Sequence, residues 1–96
     1  MPYTYILRCA DGTYYTGSTW DLDRRIAEHQ AGLGSAYTRE RRPICLVHAV
    51  FHDRVEAAYR LEKRVQGWSR AKKEAFMRGD LATIRRLAHA HGASGR

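Results

Sequence analysis

Ninety-six residues, 44% hydrophobic and 28% charged, suffice for one globular domain with a single core. Seventeen Lys+Arg against ten Asp+Glu leave a net charge of +7, which draws so short a chain towards polyanions, nucleic acid first. No run approaches the roughly 18 apolar residues of a membrane span, and neither a basic-then-apolar leader nor a basic, deeply apolar helix is visible. A cytoplasmic chain with no membrane partner is the expectation.

Residues 3–9 and 13–18 are rich in β-branched and aromatic side chains, and Asp11-Gly12 lies between them, so they predict a β-hairpin. Asp21 is placed to cap a helix that runs to about residue 31, where Gly32 and Gly34 stop it. Residues 34–43 predict a basic loop, and Pro43 restricts Arg42 to extended conformations before a third strand over 44–51. Asp53 is a plausible cap for a helix over about 54–67. Shorter helices follow from about Ser69 to Met77 and over about 80–90. The order β-β-α-β-α-α predicts an α/β (α+β) fold, a small three-stranded antiparallel sheet with flanking helices. One domain over 1–90 and a frayed tail over 91–96 are expected. Cys9 and Cys45, 36 residues apart, match no zinc or CxxC spacing and are expected to be buried, inert thiols.

Helical side chains advance by about 100° per residue, so faces can be read directly. On the first helix Leu22, Ile26 and Leu33 define an apolar side, with His29 inside that arc and Arg25 at its border. On the helix after the third strand, Val55, Ala58, Tyr59 and Val65 define the apolar face, and Glu62 lies in its middle. An inward carboxylate, guanidinium or imidazole needs a partner. Two arrangements satisfy them: a structural Glu62–Arg25 ion pair with His29 on a backbone carbonyl, or a cleft lined by all three for chemistry.

The hairpin register decides whether two tyrosines join them. A two-residue Asp11-Gly12 turn pairs Tyr15 with Arg8 and puts Tyr5 and Tyr15 on opposite faces of the sheet. A three-residue loop, Ala10-Asp11-Gly12, pairs Tyr15 with Leu7 and puts them on one face as diagonal neighbours.

Thr4-Tyr5-Ile6 and Tyr15-Thr16-Gly17 resemble the two halves of the motif of the GIY-YIG nucleases. Arg25, ten residues after Tyr15, and His29, a turn later, are similar to that family's R-x-x-x-H helix, and Glu62 to its metal-binding glutamate. Tyr37-Thr38-Arg39, Arg42-Pro43 and Ser69-Arg70 look like the small stand-alone bacterial members. The resemblance covers about residues 2–77. It departs at Tyr3-Thr4-Tyr5, where only the last residue matches the name. Ser18 stands where some members carry a lysine, and no asparagine follows Glu62 within a few residues.

The resemblance implies an endonuclease-type phosphodiesterase of DNA processing or repair, with catalytic Tyr5, Tyr15, Arg25, His29 and Glu62. A single carboxylate suits Mg²⁺ (or Mn²⁺), which keeps several waters, and Arg25 suits nonbridging phosphate oxygens. Tyr5 is assigned as acceptor of the water's proton, with Tyr15 and His29 orienting or relaying, although His29 has a pKa suited to the base itself. Arg39, Arg41, Arg42, Arg70, Lys72 and Lys73 are the candidate phosphate contacts, with Tyr37 as a stacking residue. The partner expected is nucleic acid, DNA before RNA, with a protein partner as a source of specificity. The alternatives are a non-cleaving nucleic-acid-binding module and a partner-dependent nuclease subunit.

Overall fold

The structure, a computed structural model, describes residues 1–94, with side chains through residue 87. Its elements are β1 (Tyr3–Arg8), β2 (Tyr14–Thr19), α1 (Leu22–Gln30), α2 (Ala36–Arg39), β3 (Cys45–Phe51), α3 (Val55–Gln66), α4 (Arg70–Arg78) and α5 (Leu81–Ser94). The three strands form an antiparallel sheet in the order β2-β1-β3. The expected α+β class is therefore what folds. The frayed tail expected over 91–96 lies outside the described side chains.

β1 is central because it is apolar on both faces, with Thr4, Tyr5, Ile6 and Leu7 all buried. Alternation sends Tyr5, Leu7 and Cys9 to one side, where Ile44, Leu22, Ile26 and Tyr15 pack on them. Thr4, Ile6 and Thr16 face the other side, beneath α3, where Ala58 and Val65 are buried. The Thr4 hydroxyl donates to the Ala58 carbonyl at 2.8 Å and so pins α3 to the sheet. Full burial of a side chain such as Leu7 or Val65 contributes about 1.5–3 kcal/mol.

The hairpin has the three-residue loop. Leu7 pairs with Tyr15 and Arg8 with Tyr14, and the Cys9 amide donates to the Thr13 carbonyl at 2.8 Å. Ala10-Asp11-Gly12 is left to turn the chain, with Gly12 at φ 85°, a conformation glycine adopts without penalty. Asp11 Oδ1 accepts from both the amide and the hydroxyl of Thr13. Tyr5 and Tyr15 consequently share the α1 side of the sheet.

Several expectations change. The basic loop contains α2, a single helical turn too short to show periodicity, capped by Ser35 accepting from the Thr38 amide. The three helices expected after β3 all form, although the shorthand order β-β-α-β-α-α counts only two of them. Asp53 does not cap α3, because the helix starts one residue later and its N-cap position falls on Arg54, which has no acceptor to offer. Leu33 is 77% exposed, since α1 ends at Gln30 and Gly32, at φ 83°, breaks the helical phase. Val55 and Tyr59 are also exposed, which narrows the buried stripe of α3. Cys9 is buried as expected, but Cys45 is an exposed free thiol on the edge strand.

Candidate active site

His29 sits at the centre of the α1 side and is fully buried. Its Nε2 lies 2.8 Å from the Tyr5 hydroxyl and its Nδ1 lies 2.8 Å from Thr38 Oγ1. A neutral imidazole offers one donor and one acceptor, so a Tyr5 hydroxyl donating to Nε2 leaves Nδ1–H to donate to Thr38. Thr38 is in turn within reach of the Ser35 hydroxyl and carbonyl. The rings of Tyr5 and Tyr15 meet the imidazole edge-on at 5.7 and 5.2 Å. Backbone approaches closely on two sides: a methyl on Gly17 would overlap the Tyr5 hydroxyl, and one on Gly34 would overlap the His29 ring. That closeness is the physical reason for glycine at both positions.

The electrostatics follow from burial. Burial pushes the Tyr5 phenol up to about 12, although the neighbouring Arg25 pulls it down. Burial also lowers the His29 pKa, and the Arg25 charge lowers it further. His29 is thus neutral at neutral pH. The Arg25 pKa is raised, chiefly by the Tyr5 hydroxyl beside it and also by Glu28. Arg25 Nη1 bonds Glu28 at 3.0 Å and Nη2 donates to the Gly34 carbonyl at 3.1 Å. The inward ion pair between Arg25 and Glu62 therefore does not form, and His29 is satisfied by hydroxyls, not by a carbonyl.

Glu62 comes from the opposite side of the sheet. Ser18 alternates towards α3 and donates to Glu62 Oε1 at 2.5 Å, while Gln66 Nε2 donates to Oε2 at 2.8 Å. Lys63 Nζ stands 3.8 Å from Oε2, and the glutamate side chain is 14% exposed. Its negative charge reaches Tyr5 and contributes to the rise of that pKa. A groove of about 410 Å³, lined by residues that include Ser18, Trp20, Arg25 and Glu28, runs over the edge strand β2. Tyr5, Tyr15, Arg25 and His29 are thus brought together on the α1 side. Glu62 stands at the β2 edge with Ser18, which shares the groove with Arg25.

The expected phosphate contacts divide. Arg41 bonds Asp11 and the Tyr37 carbonyl and lies 3.8 Å over the Tyr37 ring. Arg42 donates to the carbonyls of Arg39 and Gln30. Arg70 donates to the Gly12 carbonyl at 2.6 Å, pairs with Glu74 and covers Tyr14. Lys72 stands over the Trp68 ring, and burial lowers the Lys73 pKa. Arg39 is exposed, and its guanidinium has no hydrogen-bond partner among the described residues. Tyr37 donates to Thr13 Oγ1 and stacks on Tyr15 at 6.0 Å, so it closes the Tyr15 side of the site.

Sequence reasoning missed Thr38, Ser18 and Gln66 as partners of the site residues. Gln66 carried a readable signal, because it lies four residues after Glu62 on the same helix face. Thr38 carried none, since its approach to His29 depends on α2 folding back over α1.

Known proteins resemble this chain over most of its length. The GIY-YIG catalytic domain matches residues 1–75. A UPF0213 protein of Halobacterium salinarum is 51% identical over 76 residues, which cover 79% of this chain and 99% of that protein. A UPF0213 protein of Bacillus pumilus is 39% identical over 90 residues, covering 93% of this chain and 90% of its own length. The solution NMR structure of a UPF0213 protein from Bacillus halodurans, 48% identical, superposes with a TM-score of 0.52 over 79% of this chain and 82% of that one. Arg25 and His29 on one helix, the two tyrosines on one face and the 75-residue match all point the same way: the chain belongs to the GIY-YIG family of nucleases.

Proposed function

We propose that this protein is a metal-dependent endonuclease that hydrolyses phosphodiester bonds in DNA. The observation that carries the reading is the buried chain Tyr5–His29–Thr38 beside the Arg25 guanidinium, with the Glu62 carboxylate held by Ser18 at the β2 edge.

The donor set fits a divalent cation of the Mg²⁺ type. Among the described residues no three His, Cys, Asp or Glu side chains gather into a metal cluster, and a cation that keeps most of its waters needs only one carboxylate and the substrate. Ser18 and Gln66 hold the two Glu62 oxygens by neutral donors at 2.5 and 2.8 Å, with Lys63 farther off at 3.8 Å. Held there, Mg²⁺ or Mn²⁺ supplies positive charge to the phosphate and its leaving oxygen.

The chain's own groups do the rest. Arg25 turns its fork to the nonbridging oxygens as charge grows on them. Tyr5, at about 12, is a poor free anion at neutral pH. It accepts the attacking water's proton as its own passes to His29 Nε2, so no tyrosinate accumulates. His29, neutral because it is buried, is the proton's destination, and Thr38 fixes its tautomer. Tyr15 and Tyr37 wall the site.

The test is cleavage of single-stranded, nicked, flapped and branched DNA in Mg²⁺ or Mn²⁺, with Glu62→Gln in parallel. The parent cuts and the variant loses on the order of 10²–10³-fold or more, the scale of removing one charge-stabilising group. A parent that leaves every substrate intact sinks the enzyme reading. A variant that cuts like the parent moves the metal site elsewhere.

A further inference from the structure

Two aromatic rings that the chemistry above does not use stand in solvent on the elements that carry Ser18 and Glu62. Trp20 follows the end of β2 and is 63% exposed, and Tyr59 lies on α3 and is 54% exposed. Both are tied to the site by their elements. Ser18, which holds the Glu62 carboxylate, and Trp20, one residue past the end of β2, line the same hollows. Tyr59 precedes Glu62 by three residues on α3, the spacing of helix-face neighbours. Trp20 lines three hollows: one of about 260 Å³ with Met1, Tyr3 and Asp23, one of about 250 Å³ with Pro2, Val55 and Ala58 under α3, and the 410 Å³ groove that holds Arg24 and Arg25. The indole is therefore a wall between the α3 side, where Glu62 sits, and the guanidinium of Arg25.

We propose that Trp20 is a stacking platform for an unpaired nucleobase next to the scissile phosphate, with Tyr59, one helical turn before Glu62, a second platform. The inference rests on the nuclease reading above and adds the part of the substrate that this edge grips. An exposed indole next to cations suits a nucleotide, because the ring takes the base's π-face while the guanidinium takes its phosphate. Lys63, 5.0 Å over the Tyr59 ring, gives the second platform the same pairing. The acidic groups of the 410 Å³ groove are already engaged: Asp21 caps α1 and Glu28 pairs with Arg24 and Arg25, while Asp23, on the Met1 side of Trp20, is exposed. Bases inside a duplex already stack on each other, so only a splayed or single-stranded base can occupy the ring.

The test uses the full chain in the Glu62→Gln background, so that bound DNA persists. Saturation with a single-stranded oligonucleotide quenches tryptophan fluorescence. The quench disappears in the added Trp20→Phe variant, whose remaining indole, Trp68, is packed against Phe76. Trp20→Ala weakens binding of that oligonucleotide roughly 5- to 150-fold, the range that 1–3 kcal/mol per stacked base represents, and Trp20→Phe restores most of it. An abasic strand of equal length binds parent and Trp20→Ala alike. Circular dichroism confirms that each variant folds. The proposal is overturned if the quench survives in Trp20→Phe, or if Trp20→Ala binds bases and abasic strand with unchanged affinity. Self-association that shields Trp20 without DNA overturns it too, by giving the ring a second copy as its occupant. A parent that cuts DNA while Trp20→Ala binds and cuts equally well removes the platform alone. A parent that neither binds nor cuts removes the nuclease reading and the platform with it.

Discussion

His29 is enclosed by two hydroxyls and two tyrosine rings, and that enclosure fixes both its charge and the direction in which its proton moves. Burial and Arg25 hold its pKa below the ordinary 6.5. The neutral ring's contribution to stability is therefore complete above pH 6.5 and is lost as pH falls through the folded-state value. The same titration governs the rate, because a protonated imidazole cannot receive a proton from Tyr5. Activity is expected to rise with pH through a pKa below 6.5 and to level off by neutrality. A rate–pH profile that still climbs steeply above pH 7.5 removes His29 from the relay. Tyr5→Phe deletes the hydroxyl between the water and Nε2, and the rate falls by about 10²–10⁴-fold, the usual range for acid–base catalysis. Tyr15→Phe has the smaller effect, and the reverse order in single-turnover assays places the base on Tyr15. Tyr5→Phe also leaves a buried ring nitrogen without its partner, at a cost of about 1–3 kcal/mol, so both variants are compared at a temperature where each is folded.

Helix starts show where local sequence is sufficient and where it is not. Ser69 accepts from the Lys72 amide at the start of α4, so Ser69→Ala costs about 1 kcal/mol, a fall in Tm of roughly 4–8 °C for a domain of this size. Asp53→Ala is near neutral, because Asp53 lies outside the N-cap position of α3. Thermal melts that rank the two the other way contradict the assigned caps. The same distinction explains what was readable in the sequence. β1, β2, α1, α3 and α4 announce themselves because period and composition agree over six or more residues, and the misplaced Arg25, His29 and Glu62 stand out against those periods. The hairpin register was open, since an Asp-Gly pair permits either loop; the Cys9–Thr13 bond decides it. α2 was hidden by its four residues, and the pairing of Glu62 with Ser18, not Arg25, depends on which side of β2 each helix packs. Side chains that meet across a sheet edge leave no period to read.

At the scale of the whole molecule, the charge of +7 is not spread evenly over free cations, and this sets which of them a polyanion can recruit. Arg41, Arg70 and Arg78 are paired with Asp11, Glu74 and Asp80, while Arg24 and Arg25 share Glu28. Arg42 closes the C-terminal end of α1 through the Gln30 carbonyl and ties α2 to it through the Arg39 carbonyl. Helix C-termini present carbonyls without internal partners, so this arginine is a structural one. Arg39, exposed beside it with no such bond among the described residues, is the one available to a phosphate. The two substitutions then separate. Arg39→Ala leaves stability within about 0.5 kcal/mol of the parent, as surface changes do. It lowers the slope of log K against log salt by about 0.7 for a single strand, since one phosphate contact fewer releases one counterion fewer. Arg42→Ala lowers stability by about 0.5–1.5 kcal/mol for its lost hydrogen bonds and leaves the slope unchanged. Binding isotherms at four or five salt concentrations, with melts of the same proteins, test both halves. If Arg42→Ala changes the slope at parental stability, the arginine assigned to closing α1 is contacting DNA, and the path of the strand runs over that helix end.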